Sequence, residues 1–215
     1  MQQVRNIMKT FRLLAVLIAL SAVSVSALGQ ASRYVAGTHY QELATPLRTA
    51  DSEKIEVIEL FWYGCPGCYA FEPIMANWES SQQSDIDHKR LPAVWDPLTK
   101  IHAQAFYAAE ALGSLDAVHN SFFDEYHQNR NRLHTEAVIQ EFFESCGISK
   151  EDFDSIFNSF SVRTRVNQAE RKMREYGPAG TPSLYVNGKY VVTLGDGGFR
   201  QMLDVVDYLV SLERG

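Results

Sequence analysis

Apolar positions change their period several times along this chain, and the changes mark its elements. Ile55 to Tyr63 is a nearly continuous apolar run rich in β-branched and aromatic residues, which predicts a strand covered on both faces. Gly64 breaks it. From Cys65 the period becomes helical: Cys68, Phe71, Met75 and Trp78 fall on one face, with Pro73 placed to kink the helix. Ile86 to Leu91 predicts the next strand. From about Leu98 to Phe160 the pattern is helical throughout, with helices expected at 98–112, 115–127, 135–145 and 149–159. A further helix, about 162–176, runs into Tyr176-Gly177-Pro178, a stop signal. Ser183–Val186 and Lys189–Val192 flank Asn187-Gly188, a strong hairpin signal. A last amphipathic helix covers about 198–212.

The order is strand, helix, strand, helical block, hairpin, helix. Without the block it reads β-α-β then β-β-α. That is an α/β, thioredoxin-like layout with an inserted all-helical domain. The expected divisions are 28–95 for its first part, 96–160 for the helical insertion and 161–215 for its second part. Phe122, Phe123, Phe142, Phe143, Ile156 and Phe160 can give the insertion a small core of its own.

The first thirty residues follow other rules. Arg5, Lys9 and Arg12 form a basic head, Leu13 to Leu20 is wholly apolar, and small residues follow to Ala27. This is the order of a secretory signal peptide, expected at 1–27, with Gly29-Gln30-Ala31 a second cleavage candidate. The apolar run is shorter than the roughly 20 residues a spanning helix needs; an uncleaved anchor is the alternative. Loss of the three basic residues takes the net charge from −6 to −9. That balance disfavours a nucleic-acid partner. At 46% hydrophobic and 12% aromatic, the chain is globular rather than disordered.

Export to an oxidising compartment makes the cysteines the main clue. Three are too few for a disulfide scaffold. Two stand as Cys65-Pro66-Gly67-Cys68, where a central strand turns into a helix. There the first thiol meets unpaired backbone N–H groups and the positive end of the helix dipole, which lower its pKa. The second lies one turn on, so the pair suits reversible exchange. A metal site would want four ligands and a static disulfide would need no such placement; both stay as alternatives. Glu59 shares a strand face with Ile55, Val57, Phe61 and Tyr63. A carboxyl buried there keeps its proton and could relay protons for Cys68; alternatively it reaches solvent past the strand. Gly180-Thr181-Pro182-Ser183 puts a proline at a strand start, as a cis-proline loop or an ordinary turn.

Three stretches together are specific: Glu59-Leu60-Phe61-Trp62-Tyr63-Gly64-Cys65-Pro66-Gly67-Cys68-Tyr69-Ala70-Phe71-Glu72, Gly180-Thr181-Pro182-Ser183 and Val186-Asn187-Gly188-Lys189-Tyr190. On them the chain resembles the DsbA family of periplasmic thiol:disulfide oxidoreductases, thioredoxin-fold proteins with a helical insertion. The resemblance implies that Cys65 is the exposed nucleophile and Cys68 its buried partner, with Pro66 and Gly67 tuning the pair. It implies that Thr181-Pro182 is the cis-proline loop facing the disulfide. Glu59 matches a buried acid and Glu72 a second acid beside the active-site helix. It further implies a periplasmic monomer without cofactor or metal. Such a protein introduces disulfides into unfolded or reduced secreted proteins and is reoxidised by an inner-membrane, quinone-linked oxidase of the DsbB type. A disulfide isomerase or reductase of the same fold, and a non-catalytic peptide-binding or chaperone module, are the alternatives.

Two departures bear on this reading. Many family members carry His at the position of Gly67, so a less stabilised thiolate and a less oxidising disulfide are expected here. Cys146 is an extra cysteine near a helix end, expected to be inert, with a redox or dimer-forming role as the alternative. Trp62 and Tyr63 suit either packing or a substrate-facing surface. His88, His102, His119, His127 and His134 are scattered and read as solvated or core residues rather than ligands.

Overall fold

The computed structural model describes residues 33–215, so the expected 1–27 signal peptide and both cleavage positions lie outside the described residues. In chain order the elements are β1 (Gln41–Glu42), β2 (Ile55–Phe61), α1 (Pro66–Ser80), β3 (Ile86–Pro92), α2 (Pro97–Ala111), α3 (Leu115–His127), α4 (Glu136–Ser145), α5 (Lys150–Ile156), α6 (Phe160–Tyr176), β4 (Ser183–Val186), β5 (Tyr190–Thr193) and α7 (Gly198–Arg214). The sheet runs β1-β5-β4-β2-β3. β2 pairs parallel with β3 and antiparallel with β4, which fits a β-α-β unit followed by a hairpin.

Every residue of β2 is buried, as its apolar run requires. Alternation sends Val57 to one face, where Phe71 and Met75 of α1 and Val206, Leu209 and Val210 of α7 cover it. Ile58 and Leu60 go to the other, against Ala105 and Ala108 of α2 and Ala169, Met173 and Tyr176 of α6. The β4–β5 turn has Asn187 and Gly188 both at positive φ (48° and 63°), the pairing that a two-residue hairpin favours. A Cβ on Gly188 would also lie 2.1 Å from the Leu47 carbonyl oxygen, so the N-terminal segment passes too close for any side chain there.

Several boundaries differ from the sequence reading. The expected helix at 149–159 ends at Ile156, because Ser159 caps the next helix by accepting from the Val162 N–H (3.2 Å). That helix, α6, therefore starts two residues before the expected 162. α1 does carry Pro73 in its interior, as the sequence reading has it. β1 has no counterpart in the sequence reading; it pairs antiparallel with β5. The insertion does not close a core of its own. Phe122, Phe123, Phe142 and Phe143 join Ile58, Leu60, Phe61 and Cys68 in one continuous cluster. Phe160, expected inside, is 79% exposed: as the first residue of α6 it precedes the turns that meet α2.

Candidate active site

β2 and α1 meet at Cys65, and the meeting fixes its chemistry. Cys65 is the N-cap of α1, and its sulfur accepts the Cys68 backbone N–H at 3.4 Å. Pro66 starts the helix, where a missing N–H costs nothing. Both cysteines are free thiols, Cys65 half-buried and Cys68 buried. The Cys65 pKa falls to about 5. The largest cause is a hydrogen bond from the Cys68 side chain; burial opposes it, and Thr181 and the Cys68 and Gly67 backbones add to the lowering. Burial pushes the Cys68 thiol far up, with the neighbouring Cys65 adding to it. The two sulfurs thus divide into a ready thiolate and a thiol that keeps its proton.

The second loop comes from the other half of the sheet. The Thr181–Pro182 peptide is cis, and the Cys65 thiol lies 3.3 Å from the Thr181 carbonyl oxygen. Gly67 faces Pro182 closely: a Cβ on Gly67 would stand 3.2 Å from Pro182 Cδ and 3.6 Å from Cys65 Sγ. A cleft of about 410 Å³ opens beside these groups, lined by Trp62, Cys65, Pro66, Trp95 and residues 178–181. Trp95 stands 46% exposed at its edge.

Behind the cysteines lies a buried ionic cluster. Glu59 is fully buried, and neither of its carboxyl oxygens has a hydrogen-bond partner among the described residues. It does not reach solvent past the strand. Burial first, and the charge of Glu72 second, raise its pKa to about 8, against the pull of Arg90, whose Nε lies 3.7 Å away. Glu72 lies on α1 itself rather than beside it. Burial pushes its carboxyl up, but His119 (Nε2 at 3.3 Å) and Arg90 (Nη2 at 3.0 Å) outweigh burial and leave it low. One acid therefore holds its proton and the other its charge, within reach of one guanidinium.

The sequence reading singled out Cys65, Pro66, Gly67, Cys68, Glu59, Glu72, Thr181 and Pro182. The fold brings them to one end of β2 and α1. It adds Arg90 and Trp95, which that reading passed over, and gives the scattered histidines work. His119 Nδ1 hydrogen-bonds the Tyr63 hydroxyl (2.9 Å), and His127 Nε2 bonds the Tyr63 carbonyl (2.8 Å). His102 Nδ1 takes the Trp62 indole N–H (3.1 Å). Arg90 carried a weak signal, a cation in a predicted strand; the histidines carried none, since their partners lie 40 to 64 residues away. Cys146 ends α4, half-buried, with burial raising its pKa, so it holds little thiolate.

The chain matches the model of the DSBA-like thioredoxin domain over residues 90–206. It is 39% identical to the thiol:disulfide interchange protein DsbA of Pseudomonas aeruginosa over 186 residues, 86% of this chain and 88% of that one. The DsbA of Azotobacter vinelandii is 40% identical over 83% of this chain and 84% of its own length. Among solved structures, P. aeruginosa DsbA superposes with a TM-score of 0.82 at 38% identity, covering 86% of this chain and 96% of that one. The Xylella fastidiosa oxidoreductase DsbA gives 0.79 at 31% identity, covering 84% and 98%. With a dithiol set at a helix start between two halves of a thioredoxin-type sheet, this chain belongs to the DsbA family of thiol:disulfide oxidoreductases.

Proposed function

We propose that the chain acts in the periplasm as an oxidase of unfolded or reduced secreted proteins, through a Cys65–Cys68 disulfide. The observation that carries this is the split between the thiols: Cys65 at about 5, Cys68 pushed far up. Whatever stabilises the reduced thiolate makes the disulfide a stronger oxidant. In the first step a substrate thiolate attacks Cys65 Sγ. The bond to Cys68 breaks, and Cys68 leaves with the electron pair. Glu59, still protonated near neutral pH, supplies the proton that Cys68 then needs. A second substrate thiolate attacks the substrate sulfur of the mixed disulfide, and Cys65 departs as the thiolate that the helix start already accommodates.

Glu72, held charged by His119 and Arg90, sets a negative charge near Glu59 and so favours its neutral form. Pro66 and Gly67 tune the pair by setting the helix start and the approach of Pro182. The apolar cleft beside Thr181 and Pro182 suits a stretch of unfolded chain around a reactive cysteine. Electrons then leave the reduced pair through an inner-membrane, quinone-linked oxidase of the DsbB type, with the protein working as a monomer.

The test is the reduction potential of residues 28–215 in glutathione buffers, followed by tryptophan fluorescence. A value nearer to about −120 mV than to about −270 mV is expected of an oxidase, on the less oxidising side of the former because Gly67 offers no side-chain donor. A value near about −270 mV would turn the reading into that of a reductase.

A further inference from the structure

Trp62 is held from several sides. Its indole N–H donates to His102 Nδ1 at 3.1 Å. An indole nitrogen only donates, so Nδ1 is bare and the imidazole proton sits on Nε2. Nε2 donates in turn to the Arg132 carbonyl oxygen at 3.0 Å. His102 is buried in α2 and neutral: burial, first among the causes, holds its pKa down to about 4. The indole also lies across Gly64, where a Cβ would come within 2.3 Å of the ring. Tyr126 of α3 meets it edge-on at 6.1 Å.

The acceptor at the far end is fixed as well. Arg132 lies between Arg130 and Leu133, both at positive φ (58° and 47°), a conformation that side chains other than glycine adopt rarely. The connection from α3 to α4 is tied down by Asn131, whose side chain donates to Glu125 Oε1 (2.9 Å), and by buried Leu133. The chain of contacts runs from the helical insertion, through one imidazole, to an indole that lines the cleft beside Cys65 and Trp95.

We infer that His102 is a positioning residue. Through Trp62 it lets the insertion set one wall of the cleft, and so the fit of the substrate side chain next to the reacting cysteine. This rests on the reading of that cleft as the peptide site. His102 hydrogen-bonds Trp62 and Arg132 and neither cysteine, so its effect belongs to peptide binding rather than to the potential.

Three variants test it. His102→Leu removes both hydrogen bonds and keeps an apolar side chain. His102→Gln offers an acceptor for the indole and a donor for Arg132. Trp62→Phe keeps a ring and loses the donor. Each is assayed with two reduced dithiol peptides, one with leucine and one with glycine beside the first cysteine, with glutathione disulfide present to reoxidise the Cys65–Cys68 pair after each turnover. Each is separately equilibrated with glutathione. His102→Leu should raise KM for the leucine peptide roughly fivefold, the scale of one lost hydrogen bond. KM for the glycine peptide and the glutathione equilibrium should stay as in the wild type, and His102→Gln should restore the leucine KM. An unchanged KM ratio, equal losses in the Gln and Leu variants, or a shifted glutathione equilibrium would overturn the inference. Should His102→Leu fail to fold, an unchanged KM ratio in Trp62→Phe overturns it. A wild-type protein that equilibrates with glutathione but oxidises neither peptide overturns the cleft reading, and this inference with it.

Discussion

Cys65 reaches a low pKa without a histidine between the cysteines, on hydrogen bonds from Cys68, Thr181 and the helix start. The position of Gly67 leaves room for a further donor: a side chain built there would begin 3.6 Å from the sulfur. It would also press on Pro182 Cδ at 3.2 Å, so the proline loop would have to yield slightly. A Gly67→His variant should have a higher reduction potential in glutathione buffers. A rise of about 30 mV would correspond to roughly 1.4 kcal/mol of added preference for the reduced form; no rise would mean the thiolate is already saturated with donors. Glu59 gives a second test. Its folded pKa, about 8, lies above its ordinary 4.5, so between these values the folded state binds more protons than the unfolded one. The wild type should therefore lose stability, relative to Glu59→Gln, as pH rises through that window. Denaturant midpoints of both proteins at several pH values would check it, and parallel curves would show that Glu59 titrates normally. The sequence made Cys65, Cys68 and Glu59 legible because spacing and strand alternation act within a few residues. His102, His119 and Arg90 were not, because their partners are 40, 56 and 18 residues away.

The active-site helix is where local order and reactivity join. Its first turn needs an acceptor for free N–H groups, and the acceptor is a sulfur whose ionised form serves best. Since the folded pKa of Cys65 is lowered from 9 to about 5, the reduced folded state binds fewer protons across that range. Reduced protein should gain stability with rising pH over that window and lose the gain as pH falls through about 5. Cys65 is half-exposed, so the slope should stay well under the full linkage of about 1.4 kcal/mol per pH unit. Urea unfolding of the reduced wild type against Cys65→Ser would read the difference; a pH-independent gap would mean the helix start does not hold a thiolate. Elements with a clear period or punctuation were legible: β2, α1, the Asn187-Gly188 hairpin and the Gly177 stop, where the residue does sit in the left-handed region at φ 59°. β1 was not, since two exposed residues carry no period and owe their conformation to pairing with β5. The break before α6 was hidden because Ser159 reads as an ordinary polar helix position until its cap bond is seen.

At the scale of the whole molecule, the sequence suggested a helical block with a core of its own, and the packing joins that block to the sheet instead. Tyr34–Gly215 forms one compact unit. Phe123 shows why. It is buried on α3, and its ring lies 4.9 Å from Tyr63, 5.9 Å from Tyr69 and 6.1 Å from Phe61, so it touches the end of β2 and the start of α1 at once. A protein with separable cores would lose such a ring at the expense of one part only. Here the insertion, the strand that delivers Cys65 and the helix that caps it draw on the same apolar contacts. Phe123→Ala should cost about 3–5 kcal/mol, the usual range for emptying a buried phenylalanine site. It should shift a single transition, with tryptophan fluorescence and far-ultraviolet circular dichroism still coinciding. Two separated transitions, with only one moved, would instead mean that the helices fold and unfold apart from the sheet, and that the hold of the insertion on Trp62 is looser than its contacts indicate.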